Sequence, residues 1–135
     1  MSMWDSRSFL RHVLLADGIV SGGTGLLLAA GAPIAGPVLG LTSGLLIGGG
    51  AFLVAFGAAL VLAARKGSPS PGFARGVVGV NIAWVAASIA FALLGPASVT
   101  ALGTAFVVLQ AVVVGVLAEL QIMGLRRLGA VASPA

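Results

Sequence analysis

The sequence predicts an all-α membrane protein: a bundle of four transmembrane helices forming a single domain over residues 1–135. Three observations predict it. Hydrophobic residues make up 59% of the chain and charged residues only 7%, against about 25% charged in an ordinary soluble domain. The prolines fall in short gaps between long apolar runs. The basic residues gather beside alternate gaps and avoid the others. A soluble fold of this size would need a polar shell that this composition cannot supply; lipid removes that need.

The helix positions follow from the prolines. Pro33, Pro37, Pro69, Pro71, Pro96 and Pro134 leave apolar runs over residues 10–30, 44–64, 75–94 and 99–125. Each run reaches the ~20 residues that span a hydrocarbon core about 30 Å thick, at about 1.5 Å of rise per residue. They are far longer than the strands of a membrane barrel. The fourth run is the longest and is expected to tilt or to project from the bilayer. The first run ends in Ala30-Gly31-Ala32, which has the small residues of a signal-peptidase site. Its length, Asp17 and the following Pro33 favour a retained helix. The segment 31–43, with Ile34, Val38, Leu39 and Leu41 among Gly and Pro, is expected to be an apolar loop in the outer interface.

Orientation follows from the charges. Arg7, Arg11, Arg65, Lys66, Arg75, Arg126 and Arg127 all fall on one side of a four-helix topology, and the other two gaps carry no charge. By the positive-inside rule that side is cytoplasmic, with both termini on it. Trp4, Phe9 and Phe73 stand where aromatic anchors belong on that side, and His12 belongs with them in the interface. The net charge of +4 does not indicate nucleic acid, because the basic residues form no stripe and have no aromatic platform. The chain has no Cys, hence no disulfide, thiolate or Cys-ligated metal. No nucleophile–base pair and no metal-spaced cluster is visible, so neither enzymatic activity nor a cofactor is expected.

Aligning Phe9 with Phe73 also aligns Arg11 with Arg75, Val13 with Val77 and Asp17 with Asn81. If that match is a duplication, the protein is two helical hairpins in parallel repeat. Interfacial Phe and Arg recurring at helix starts would produce the same match.

Small residues recur at about four-residue spacing on every helix: Gly18 and Gly22, with Ser21 and Gly25 beside them; Gly44 and Gly48, then Ala51, Ala55, Ala59 and Ala63; Gly79, Ala83 and Ala87; Ala111, Gly115 and Ala118. Such spacing lets helix backbones approach closely in lipid. Gly22 and Gly115 are therefore expected at helix interfaces. Asp17, Asn81 and Glu119 each fall about 9–10 Å in from the basic flank of their helix. Ser21 and Thr24 share a face with Asp17, Trp84 and Ser88 with Asn81, and Ala111 and Gly115 with Glu119. A charge facing lipid costs about 2.5 kcal/mol or more, so the three polar residues are expected to converge inside the bundle. They would form either a hydrogen-bonded clasp or a site for a proton, cation or basic substrate. Gln110 and Gln121, on the face of the fourth helix opposite Glu119, are expected to be interhelical donors or interface residues.

Three stretches, LLADGIVSGGTGLLL (14–28), NIAWVAASIA (81–90) and TALGTAFVVLQAVVVGVLAELQIMGLRR (100–127), resemble a group of small bacterial inner-membrane proteins of unknown function. That resemblance implies a bacterial four-helix protein and carries no activity. The small multidrug transporters are similar in length and helix count, but they rely on a Glu in the first helix and on Tyr; this chain has Asp17 and no Tyr. The expectation is a non-enzymatic protein acting by helix packing, as an accessory or assembly component of a membrane complex. Its partners would be the bilayer and another membrane protein or a second copy. The alternative is a small transporter or proton-linked carrier using Asp17 and Glu119. Lipid or quinone binding between helices is a third reading.

Overall fold

The structure, a computed structural model, describes residues 6–67 and 69–132. Trp4 and Pro134 lie outside the described residues. The described chain is all-α, with no strand: α1 spans Ser6–Leu39, α2 Ser43–Arg65, α3 Pro71–Leu94 and α4 Ala101–Ala132. All four helices are long and apolar enough to cross a membrane. The outward faces are hydrocarbon: Leu27, Ile34, Leu93 and Leu94 are each more than three-quarters exposed. A surface that apolar is stable against lipid and not against water.

Helix starts are set by hydroxyl side chains that accept otherwise unpaired backbone N–H groups. Thr42 accepts from the Leu45 N–H at 3.2 Å, Ser70 from Phe73 at 3.1 Å and Thr100 from Gly103 at 3.0 Å. Pro71 occupies the first turn of α3, where its missing N–H costs nothing.

The expected loop over residues 31–43 is mostly helix. α1 runs through Pro33 and Pro37 to Leu39 and reaches 34 residues, which makes it longer than the 32 of α4. Each proline withholds one N–H from the carbonyl four residues earlier, but both rings lie on the exposed side. The last carbonyls find other donors. Leu41 N–H reaches Gly36 O at 3.0 Å, Thr100 N–H reaches Leu39 O at 3.1 Å, and the Thr100 hydroxyl donates to Val38 O at 2.9 Å. The terminator is Gly40, at φ +70°, in the left-handed conformation that ends many helices. A Cβ there would also run into the Ser98 carbonyl. The apolar character of this stretch follows: Ala32, Leu39, Leu41 and Leu46 form a buried cluster at the uncharged end of the bundle.

α1 is the hub. It packs along α2 and against α4, and α3 packs against α4. The α1–α2 contact is backbone to backbone. A Cβ on Gly57 would lie 2.5 Å from Gly18 O and 2.6 Å from Gly22 N, and one on Gly25 would lie 2.5 Å from Gly50 O. At the basic end, Arg11 Nε donates to Ala64 O at 2.6 Å, tying the start of α1 to the last turn of α2. The Arg127 guanidinium lies 4.3 Å from the centroid of the Phe9 ring, joining α4 to α1.

Several small-residue stripes point elsewhere than expected. Gly44, Gly48, Ala51, Ala55 and Ala59 of α2 and Gly79, Ala83 and Ala87 of α3 are exposed. The buried face of α2 is Leu46, Gly50, Leu53, Gly57, Leu60 and Ala64. Steps of four residues drift about 40° around a helix each time, whereas alternating steps of four and three hold one face. Gly22 does face Gly57, where a Cβ on Gly22 would lie at an ordinary contact distance of 4.0 Å from the Gly57 Cα, while a Cβ on Gly115 would meet nothing within 4 Å.

The glycine contact yields a direct test. Gly57→Ala and Gly25→Ala should each destabilise the bundle by about 1–3 kcal/mol through overpacking against rigid backbone. Gly48→Ala, facing open space, should be neutral or stabilising by up to about 1 kcal/mol. Reversible unfolding in mixed detergent micelles measures all three. Equal responses would mean that α1 and α2 do not touch at Gly57 and Gly25.

Candidate functional site

α1, α3 and α4 each bring one long polar side chain to a single buried point. Asp17 and Gln121 are fully buried, Asn81 is 3% exposed and Ser21 is 6% exposed. Asn81 Nδ2 donates to Asp17 Oδ2 at 2.8 Å and to Gln121 Oε1 at 3.0 Å. Gln121 Nε2 donates to the same Asp17 Oδ2 at 2.6 Å. Ser21, one turn along α1, donates to Asp17 Oδ1 at 2.9 Å. The three long side chains close a ring in which every partner of the carboxyl group is a donor.

This arrangement departs from the expected trio in one member. Asp17 and Asn81 meet, but Glu119 is not with them; it is exposed on α4, and Gln121 takes the place assigned to it. Two residues along a helix turn a side chain about 200°, so Glu119 and Gln121 cannot face the same way. Distance from the basic flank gives how deep a residue lies; it says nothing about the angle at which it leaves the helix. The useful signal is the polarity of Gln121 itself, since a primary amide inside a membrane helix needs a partner as much as a carboxyl does.

The register that aligns Phe9 with Phe73 also pairs buried positions of α1 with buried positions of α3. Leu10 and Ala74, Val13 and Val77, Leu14 and Val78, and Asp17 and Asn81 are all buried pairs, and the last pair is 64 residues apart and hydrogen-bonded.

A second polar group joins α3 to α4 nearer the uncharged end of the bundle. Trp84 Nε1 donates to Gln110 Oε1 at 2.7 Å, and Gln110 Nε2 donates to Ser88 Oγ at 2.9 Å and to Val107 O at 2.8 Å. The Ser88 hydroxyl donates in turn to Trp84 O at 2.7 Å. Trp84 and Ser88 thus do not join Asn81, although they share its helix. Thr24 makes no contact with Asp17 and lines a cavity between the helices instead. His12 Nδ1 lies 2.6 Å from Ser8 O at the exposed start of α1. Among the described residues no cluster of His, Cys, Asp or Glu could hold a metal ion.

Glu119 occupies a different kind of place. It stands at one end of a groove of about 330 Å³, where Val85 and Ile89 of α3 face Ala111, Val112 and Gly115 of α4. Among the described residues it has no hydrogen bond or ion pair.

A clasp of this kind should be costly to break from the amide side. Asn81→Leu and Gln121→Leu should each destabilise by about 1–3 kcal/mol, since each strips a donor from a buried carboxyl group. Their effects should fall short of additivity in the double variant. Asp17→Asn should recover part of the loss in the Gln121→Leu background, and Glu119→Gln should change stability by less than about 0.5 kcal/mol. Micelle unfolding measures the cycle, and strict additivity would mean the ring is not a unit.

No protein-family model, no curated protein and no solved structure matches the chain.

Proposed function

We propose that the protein is a non-enzymatic membrane component that works by helix packing, as an accessory or assembly subunit of a larger membrane complex. The observation that carries this reading is Glu119. It lies about 10 Å in from Arg126 along α4, exposed and without a partner among the described residues. Beside it is a shallow groove floored by Ala111 and Gly115. A carboxyl group turned toward lipid at that depth is costly. A partner helix that brings a donor or cation to Glu119 while packing over the small residues removes the cost. The short connections between helices support the same reading, because they leave no room for a soluble domain between one helix and the next. The carrier reading needs Asp17 and Glu119 at one site. Asp17 is closed off by three donors, and Glu119 faces away from it.

The charge asymmetry supports an orientation with both termini cytoplasmic, and the resemblance of α1, α3 and α4 to small bacterial proteins supports a bacterial inner membrane. A periplasm-active reporter fused after Leu41 or after Pro96 should be active, and one fused after Pro69 silent. Activity after Pro69 would overturn the orientation.

The assembly reading has its own test. Purification in mild detergent should yield a stoichiometric membrane-protein partner, and Glu119→Gln should weaken its retention at least ten-fold, about 1.4 kcal/mol, without loss of the fold. Recovery of the chain alone, or retention indifferent to Glu119→Gln, would overturn the reading.

A further inference from the structure

The bundle is open on one side. α1 packs against α2 and α4, and α3 against α4, but the backbones of α2 and α3 scarcely approach each other. At the basic end Leu60 of α2 shares a buried cluster with Ala74 and Val77 of α3; farther along, a ring stack bridges the two helices, Phe52 on Trp84, with centroids 5.7 Å apart and planes 8° from parallel. Beside that stack all four helices line a cavity of about 260 Å³. It reaches from Leu41 and Leu45 at the uncharged end to Leu53 and Trp84 near the middle of the helices.

We infer that this cavity holds one acyl chain of a bilayer phospholipid, entering between α2 and α3 from the leaflet at the uncharged end. Three observations point to that occupant. The walls offer little to water, because the amide of Gln110, the indole of Trp84 and the hydroxyl of Ser88 are spent on one another. A buried water needs about two to four polar partners, and the Thr24 hydroxyl is the one polar group of the lining without a partner among the described residues. The shape fits a chain and not a helix. Leu45 to Leu53 covers about 12 Å along α2, roughly the reach of one leaflet, whereas a helix with its side chains is about 10 Å wide and would need far more room. Position within the bundle points the same way. The cavity lies between helices long and apolar enough to cross a membrane, where hydrocarbon chains are the solvent, and a void left empty there forfeits contacts on every wall. No charged residue lies at this end of the bundle, so the chain and not the headgroup is what the site holds.

Trp84 in the cavity wall makes the occupant observable. The chain has two tryptophans, and Trp4→Phe leaves Trp84 as the sole fluorophore. That variant, in detergent micelles, is titrated with phosphatidylcholine brominated along its acyl chains, bromine being a contact quencher. Quenching should saturate near one lipid per protein and be reversed by the unbrominated lipid. Gly49→Leu fills the cavity from α2, where an added Cβ meets nothing within 4 Å, and Ala87→Leu fills it from α3. Each should raise the lipid concentration needed for half-maximal quenching at least ten-fold. Circular dichroism shows which filled variant is folded, and either one suffices. Quenching that rises in proportion to brominated lipid without saturating would overturn the inference. So would a saturable phase that a folded filled variant leaves unchanged.

Discussion

A carboxyl group that cannot reach water must be surrounded by donors, and Asp17 takes one from its own helix, Ser21, and two from other helices. The arrangement of α1, α3 and α4 depends on that requirement. In lipid there is no hydrophobic force to draw apolar helices together, because the tails around them are as apolar as Leu. An unsatisfied polar group is far more expensive there than in a soluble protein. Asn81 and Gln121 reach Asp17 Oδ2 at 2.8 and 2.6 Å only when α3 and α4 stand at one rotation and one depth relative to α1. One buried oxygen therefore fixes the register of three helices.

α2 is held by a different principle. It contributes no long polar side chain to the interior and makes its contact through missing atoms. Gly57 lies against Gly18 and Gly22, and Gly50 against Gly25, close enough that added Cβ atoms would enter the opposing backbone. Each such approach gains dispersion contacts along both backbones, with Leu46, Leu53 and Leu60 filling the flanks. The two mechanisms divide the molecule: close packing for the α1–α2 hairpin, and hydrogen bonds for the attachment of α3 and α4. α1 takes part in both, with its glycines turned to α2 and Asp17 turned to the other pair.

What can be read in the sequence follows from this division. The number of helices is legible, because a bilayer sets the length of an apolar run. So is the pairing of Asp17 with Asn81, because both lie at one depth behind the same F-x-R-x-V pattern. The end of α1 is not. Pro33 and Pro37 look like breakers, and only a tertiary contact, Thr100 against Val38 and Leu39, shows why the helix continues to Gly40. The inner face of α2 is hidden too, because a helix that is apolar all round has no polar side to mark which way it turns. Small residues occur on both of its sides. Glu119 fits the clasp on paper for the same reason: the sequence gives depth without rotation, and Gln121 two positions away has the better angle.

The hairpin register carries this one step further. With α1 and α3 aligned at the Asp17–Asn81 offset of 64 residues, α2 falls on α4, and the buried positions Leu53, Gly57 and Leu60 fall on the buried Leu117, Gln121 and Gly124. The equivalent of Gln121 in the first hairpin is thus Gly57. The same position supplies a gap in α2, which lets the α1 backbone come close, and an amide in α4, which completes the shell of Asp17. A donor at position 57 would separate α1 from α2, and a glycine at position 121 would leave Asp17 short of a partner. In this register the two hairpins pack by opposite means. The departure from symmetry extends to the remaining side: the backbones of α1 and α4 meet, while α3 meets α2 through side chains alone, the stacked Phe52 and Trp84 rings and the cluster that holds Leu60 with Ala74 and Val77.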